Sequence, residues 1–127
     1  MCINAAVPTK LVLALTLLAA PAVAEPAPSW NCTLHRPGTK EGETLNIHRQ
    51  SNGYYGDGKA SFFKVIEDGQ WAFVAAIAET GIIEETNTNV IGVQTLVIDK
   101  RTHLARLSYD YLTGFPDKTL YGSCVPG

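Results

Sequence analysis

The sequence predicts an all-β domain, a small antiparallel meander closing into a barrel or sandwich of seven to eight strands with one disulfide. Three observations predict it. Past residue 29, apolar and polar residues alternate in short segments divided by Gly, Asn, Asp and Pro, the period of strands with one buried face. The connections between those segments are mostly short, which favours neighbouring antiparallel strands. Cys32 and Cys124 stand near the two ends of the domain, so a bridge between them would join the first strand to the last, as neighbours in a barrel.

Residues 1–24 read as a secretory signal. Lys10 is its one positive charge, residues 11–20 are an apolar run, and the small residues Ala22 and Ala24 precede a cut before Glu25. The run is too short to span a bilayer, which needs about 20 residues. Removal of the signal leaves 103 residues with a formal net charge of −3, the size of one domain and the wrong sign for a nucleic-acid or polybasic membrane-surface protein. The expected location is periplasmic or secreted. An isolated cysteine pair bridges in such an oxidising compartment. No CxxC spacing supports a redox or metal role for it.

The elements follow in order. Residues 25–29, with Pro26 and Pro28, read as an extended, mobile lead-in; residues 30–127 are the single β-rich domain. A strand at 30–35 sets Trp30, Cys32 and Leu34 against Asn31, Thr33 and His35. A second at 43–49 sets Leu45 and Ile47 against Thr44, Asn46 and His48. Residues 50–60 form a Gly-rich loop. A strand at 60–67 ends in a turn at Glu67, Asp68 and Gly69. Residues 70–78 place Trp71, Phe73, Ala75 and Ile77 on one face. This Ala-rich stretch also fits a short helix, but the Gly69 and Gly81 boundaries leave it short and its aromatics alternate, so a strand is favoured. A further strand is read at 81–86. Residues 90–98 and 104–112 form the clearest hairpin. Its turn, 99–103, has the length that ends in a residue of positive φ, with His103 where Gly is usual. The last strand, 119–125, carries Cys124.

Little in this pattern points to catalysis. His35 and His48 would be neighbours if the first two strands pair, and could hold a metal with Glu43, but the spacing is no known ligand signature. Separate solvent-facing histidines are the simpler reading. Glu84 and Glu85 are adjacent on a presumed strand and so point to opposite faces, whereas acid–base work needs two groups at one site. There is no nucleophile motif, and the Gly-rich run from Gly53 to Lys59 lacks the ending of a phosphate loop. No enzyme activity, cofactor or metal is expected.

Two loops read as contact surfaces. One is 50–60, with Tyr54, Tyr55, Asp57 and Lys59; the other is 113–118, with Phe115. Tyrosines on loops bury much area at low entropic cost. The competing reading folds these aromatics back over the barrel ends.

The segment Thr95-Leu96-Val97-Ile98-Asp99-Lys100-Arg101-Thr102, with Tyr121-Gly122-Ser123-Cys124, resembles the C-terminal part of many small exported proteins of Gram-negative bacteria. That resemblance implies a periplasmic β-rich domain and carries no catalytic residues. Size, export signal and bridge also look like periplasmic lysozyme inhibitors, an analogy of class. The expectation is a monomeric, non-catalytic binding or inhibitor-like module that contacts a protein or envelope component through its loops. It has no nucleic-acid partner and no membrane span after signal removal. The alternative is a small-ligand carrier with its site at the barrel mouth, and third comes a small hydrolase.

Overall fold

A computed structural model describes residues 25–58 and 61–127. Residues 1–24, read in the sequence as a secretory signal, and Lys59 lie outside the described residues. The described chain is all-β. Eight antiparallel strands, β1 (Ser29–His35), β2 (Gly42–Arg49), β3 (Tyr55–Gly56), β4 (Phe62–Asp68), β5 (Ala72–Ile83), β6 (Thr88–Asp99), β7 (Leu104–Thr113) and β8 (Lys118–Pro126), pair in chain order and close into a barrel. Closure is the β1–β8 seam, six residue pairs from Trp30↔Pro126 to His35↔Tyr121. Cys32 and Cys124 face each other in that register and are bridged. Among the described residues, no helix is long and apolar enough to cross a membrane.

The strand count matches the sequence reading, but two strands fall elsewhere. The segments read at 70–78 and 81–86 are one strand, β5. Gly81 does not end it. It pairs with Val90 like any strand residue, and a Cβ there would meet nothing within 4 Å. The reversal comes at residues 84–87, where Asn87 takes φ 52°, so Glu84 and Glu85 lie in a turn and not on a strand. The eighth strand is the two-residue β3, inside the segment read as a loop. The β6–β7 turn is as expected: His103 has φ 65°, and its N–H donates to the Asp99 carbonyl at 2.8 Å. The Asp99 carboxylate caps the same turn by accepting from the Arg101 N–H at 2.8 Å, which holds its pKa below the usual value.

Strand phase and register put alternate residues inside. Trp30, Phe73 and Tyr55 cluster toward one end, with ring centroids 5.6 Å (Trp30–Phe73) and 4.9 Å (Tyr55–Phe73) apart. Leu34, Ile47, Phe63, Leu96, Ile98, Leu107 and Leu120 complete a single core. We call the Trp30 end the base. It carries the 69–71 and 100–103 turns, and the Lys100–Asp68 ion pair joins them. The lead-in expected to be mobile is anchored here: Ala27 packs on the core, the Tyr55 hydroxyl donates to its carbonyl, and the Arg49 N–H donates to the Pro28 carbonyl at 2.8 Å. Trp71, expected on the face of Phe73, lies just outside β5. It is 58% exposed, with the Arg101 guanidinium 5.1 Å over its ring.

Candidate functional site

At the opposite end, the mouth, the inner phase of the strands turns polar. Glu43 continues the inward series of Leu45 and Ile47 on β2. Glu79 continues Phe73, Ala75 and Ile77 on β5. Tyr109 and Tyr111 continue Ala105 and Leu107 on β7, opposite Gln94 and Gly92 of β6. Gly92 is required there, because a Cβ would sit 2.3 Å from the Tyr111 ring and 2.6 Å from the Asp110 carbonyl. Past a bulge at Leu112 the chain brings Phe115 back onto Tyr111, edge to face, with ring centroids 5.5 Å apart.

These side chains form two tyrosine–carboxylate pairs. The Tyr109 hydroxyl reaches Glu43 across the barrel, 2.9 Å and 3.0 Å from the two carboxylate oxygens. The Tyr111 hydroxyl donates to Glu79, which also accepts from the Gln94 amide. Lys118 places its ammonium 4.8 Å from the Tyr109 ring centre and 3.3 Å from Glu41. It holds the Glu41 carboxyl below its usual pKa, with help from Arg36. Glu43 and Glu79 differ from Glu41: among the described residues neither has a basic side chain within ion-pair distance. A cavity of about 260 Å³ lies between Tyr109, Tyr111, Phe115, Pro116 and Lys118.

Burial raises the Tyr109 phenol, and the bond to Glu43, its charge and the charges of Tyr111 and Glu79 raise it further. Burial, with the bond to Glu79 and its charge, pushes Tyr111 up to about 12. Both phenols therefore stay protonated and donate at neutral pH. Because the folded pKa lies above the unfolded value near 10, each phenol contributes stability that is intact below pH 10. For Tyr111 that contribution is lost as pH rises through about 12. In a titration followed at 295 nm, Glu79→Gln is expected to move the Tyr111 ionisation down toward pH 10 while leaving a residual shift from burial, and to lower Tyr109 by a smaller amount. An unchanged titration curve would separate Tyr111 from Glu79.

The residues singled out in the sequence are scattered. Tyr55 is not a surface contact. It is fully buried, because β3 turns it inward between Arg49 and Phe63, and burial raises its phenol too, with Asp68 adding to the rise. Tyr54, 37% exposed, sits in the β2–β3 turn at the base. Asp57 lies in the β3–β4 turn and accepts from the Ser61 N–H at 3.4 Å. Phe115, 51% exposed, is at the mouth, so the two loops do not form one surface. His35 pairs with Gly42 at the mouth and His48 with Ser29 at the base; they are not the neighbours a metal site with Glu43 would need. The sequence reading passed over Glu79 and Gln94, placed Lys118 only within the 113–118 contact loop, and gave Tyr109 and Tyr111 no role beyond strand phase. Their signal was that phase, since carboxylates and phenols fall in step with the apolar inner positions. No protein-family model, curated protein or solved structure matches this chain.

Proposed function

We propose that the protein is a non-catalytic binding module whose mouth receives a cationic group, an ammonium or guanidinium. The observation that carries this is the pair of inward-facing, half-buried carboxylates, Glu43 and Glu79, with no basic partner among the described residues. Each carboxylate accepts hydrogen bonds from neutral donors, Tyr109 for Glu43 and Tyr111 with Gln94 for Glu79, but its charge is not balanced by a basic group, and a cation would supply that balance. The rings of Tyr109, Tyr111 and Phe115 add faces on which a cation gains further, and Lys118 already uses one of them.

Catalysis fits this arrangement poorly. General acid–base groups work best with a pKa near the operating pH, and these phenols are held far above it while donating to the carboxylates. The contact reading and the carrier reading meet here, because Phe115 of the contact loop is part of the mouth rim. Affinity for a lone cation should be modest. A charge about 4 Å from a carboxylate gains about 4 kcal/mol at an effective dielectric of 20, and a total of that size corresponds to about millimolar binding.

The test is an NMR titration with n-butylammonium and ethylguanidinium, beside butanol and butyrate. The cations should shift the Tyr109 and Tyr111 ring signals, and the neutral and anionic compounds should not. Glu43→Gln with Glu79→Gln keeps an acceptor for each tyrosine and should weaken cation binding about tenfold or more. Equal response to butanol and butylammonium, or none to either cation, would sink the proposal.

A further inference from the structure

The shortness of β3 opens the barrel wall. β2 meets β3 only through His48↔Gly56 and Arg49↔Tyr55. β5 meets β4 no closer to the mouth than Lys64↔Ala76. Mouthward of these pairs, residues 42–47 of β2 and 77–83 of β5 have, among the described residues, a strand neighbour on one side only, β1 and β6 respectively. At the usual inter-strand spacing, two more strands would be needed to join these two edges. Glu43 stands just inside one edge and Glu79 just inside the other. A groove of about 430 Å³ follows the β5 edge, lined by all six residues 78–83 together with Val90 and Phe115.

Free strand edges invite pairing, and proteins usually blunt them with Lys, Pro or an inward-pointing charge. Residues 77–83 contain no Lys or Pro, and their one charge is Glu79. An inward carboxylate repels an apolar or acidic strand laid beside it. It admits a strand that brings a positive side chain to the same level. Here the inward charge acts as a selector.

We propose that the β5 edge is a docking site for an extended peptide segment, which adds as a strand and places a Lys or Arg side chain between Glu79 and Glu43. This rests on the cationic reading of the mouth and names its partner. Backbone groups of residues 77–83 supply the ladder, and alternate side chains supply the choice of sequence. The inward positions Ile77, Glu79 and Gly81 ask for an apolar residue, a basic residue and then a side chain that fills the open space beside Gly81.

The test uses the peptide Ac-Val-Thr-Lys-Thr-Val-NH2, whose side chains read the same in either strand direction, beside n-butylammonium. Two N-methylated forms complete the set, one methylated at both Thr and one at both Val and Lys. The peptide should bind about tenfold or more tightly than butylammonium. Only one methylated form should lose that gain, because alternate amides point to opposite sides of a strand, and amides within 77–83 should become protected from hydrogen exchange. If the peptide binds no better than butylammonium, the edge proposal falls and the cation-binding mouth stands. If neither binds, both fall. If a Lys→Gln peptide binds as well as the parent, the basic side chain is not selected and the proposal is overturned.

Discussion

Replacing Cys32 and Cys124 by Ser is expected to destabilise the protein by about 4 kcal/mol. The bridge spans 92 residues, and the chain-entropy estimate for a loop near that length is about 4.7 kcal/mol, a ceiling that residual structure in the unfolded chain lowers. Total stability for one domain is about 5–15 kcal/mol, so the variant would lose between about a quarter and most of it. At about 4–8 °C per kcal/mol for a domain of this size, the melting midpoint should fall by roughly 15–30 °C. The location of the bridge makes the effect large. Every other strand pairing joins neighbours in sequence, whereas the β1–β8 seam joins the two ends of the domain, and ring closure between distant segments is the entropically costly step. Calorimetry of the oxidised protein and the double-Ser variant decides the matter. A loss under about 1 kcal/mol would mean that six residue pairs and the core hold the seam unaided.

Those same seam residues show what a sequence can reveal of such a fold. The cysteine pair and the compartment expected from residues 1–24 implied a bridge, and a bridge between first and last strands implied a barrel. His103 was legible because turn length demands a positive φ whatever residue supplies it. Gly81 misled, because glycine is a common strand boundary and nothing local distinguishes one with free space around it. Tyr55 misled for the opposite reason. Its neighbours Gly53, Gly56 and Gly58 are loop residues by composition, and only pairing with β2 and β4 makes it a strand residue with a buried ring. The mouth was half legible. Glu43, Glu79, Tyr109 and Tyr111 each fall in the inner phase of their own strands, yet the meeting of Tyr109 with Glu43 crosses from β7 to β2. That contact exists only once β8 has paired with β1, a consequence of closure that no local pattern carries.

Gly122→Ala is the second large expected effect, at about 3 kcal/mol. Gly122 pairs with Leu34 across the seam and with Ala105 on its other side. A Cβ there would lie 1.9 Å from the Thr33 carbonyl oxygen, 2.9 Å from its carbon and 3.0 Å from the Leu34 Cα. All three are backbone atoms of β1, so no rotamer change relieves the contact and the strands themselves must separate. Overpacking costs about 1–3 kcal/mol where neighbours can give way. Here β1 is held to β8 by the Cys32–Cys124 bridge two residues along the strand, which places the cost at the upper end. The two seam effects should therefore couple. In the double-Ser background the seam can open, and the penalty of Gly122→Ala should shrink by about 1 kcal/mol, a coupling within the range for residues sharing one structural contact. Urea unfolding of the four proteins of this cycle measures it. Equal penalties with and without the bridge would show that β1 yields at Thr33 independently of Cys32, and that the bridge sets the entropy of the unfolded chain without stiffening the folded seam.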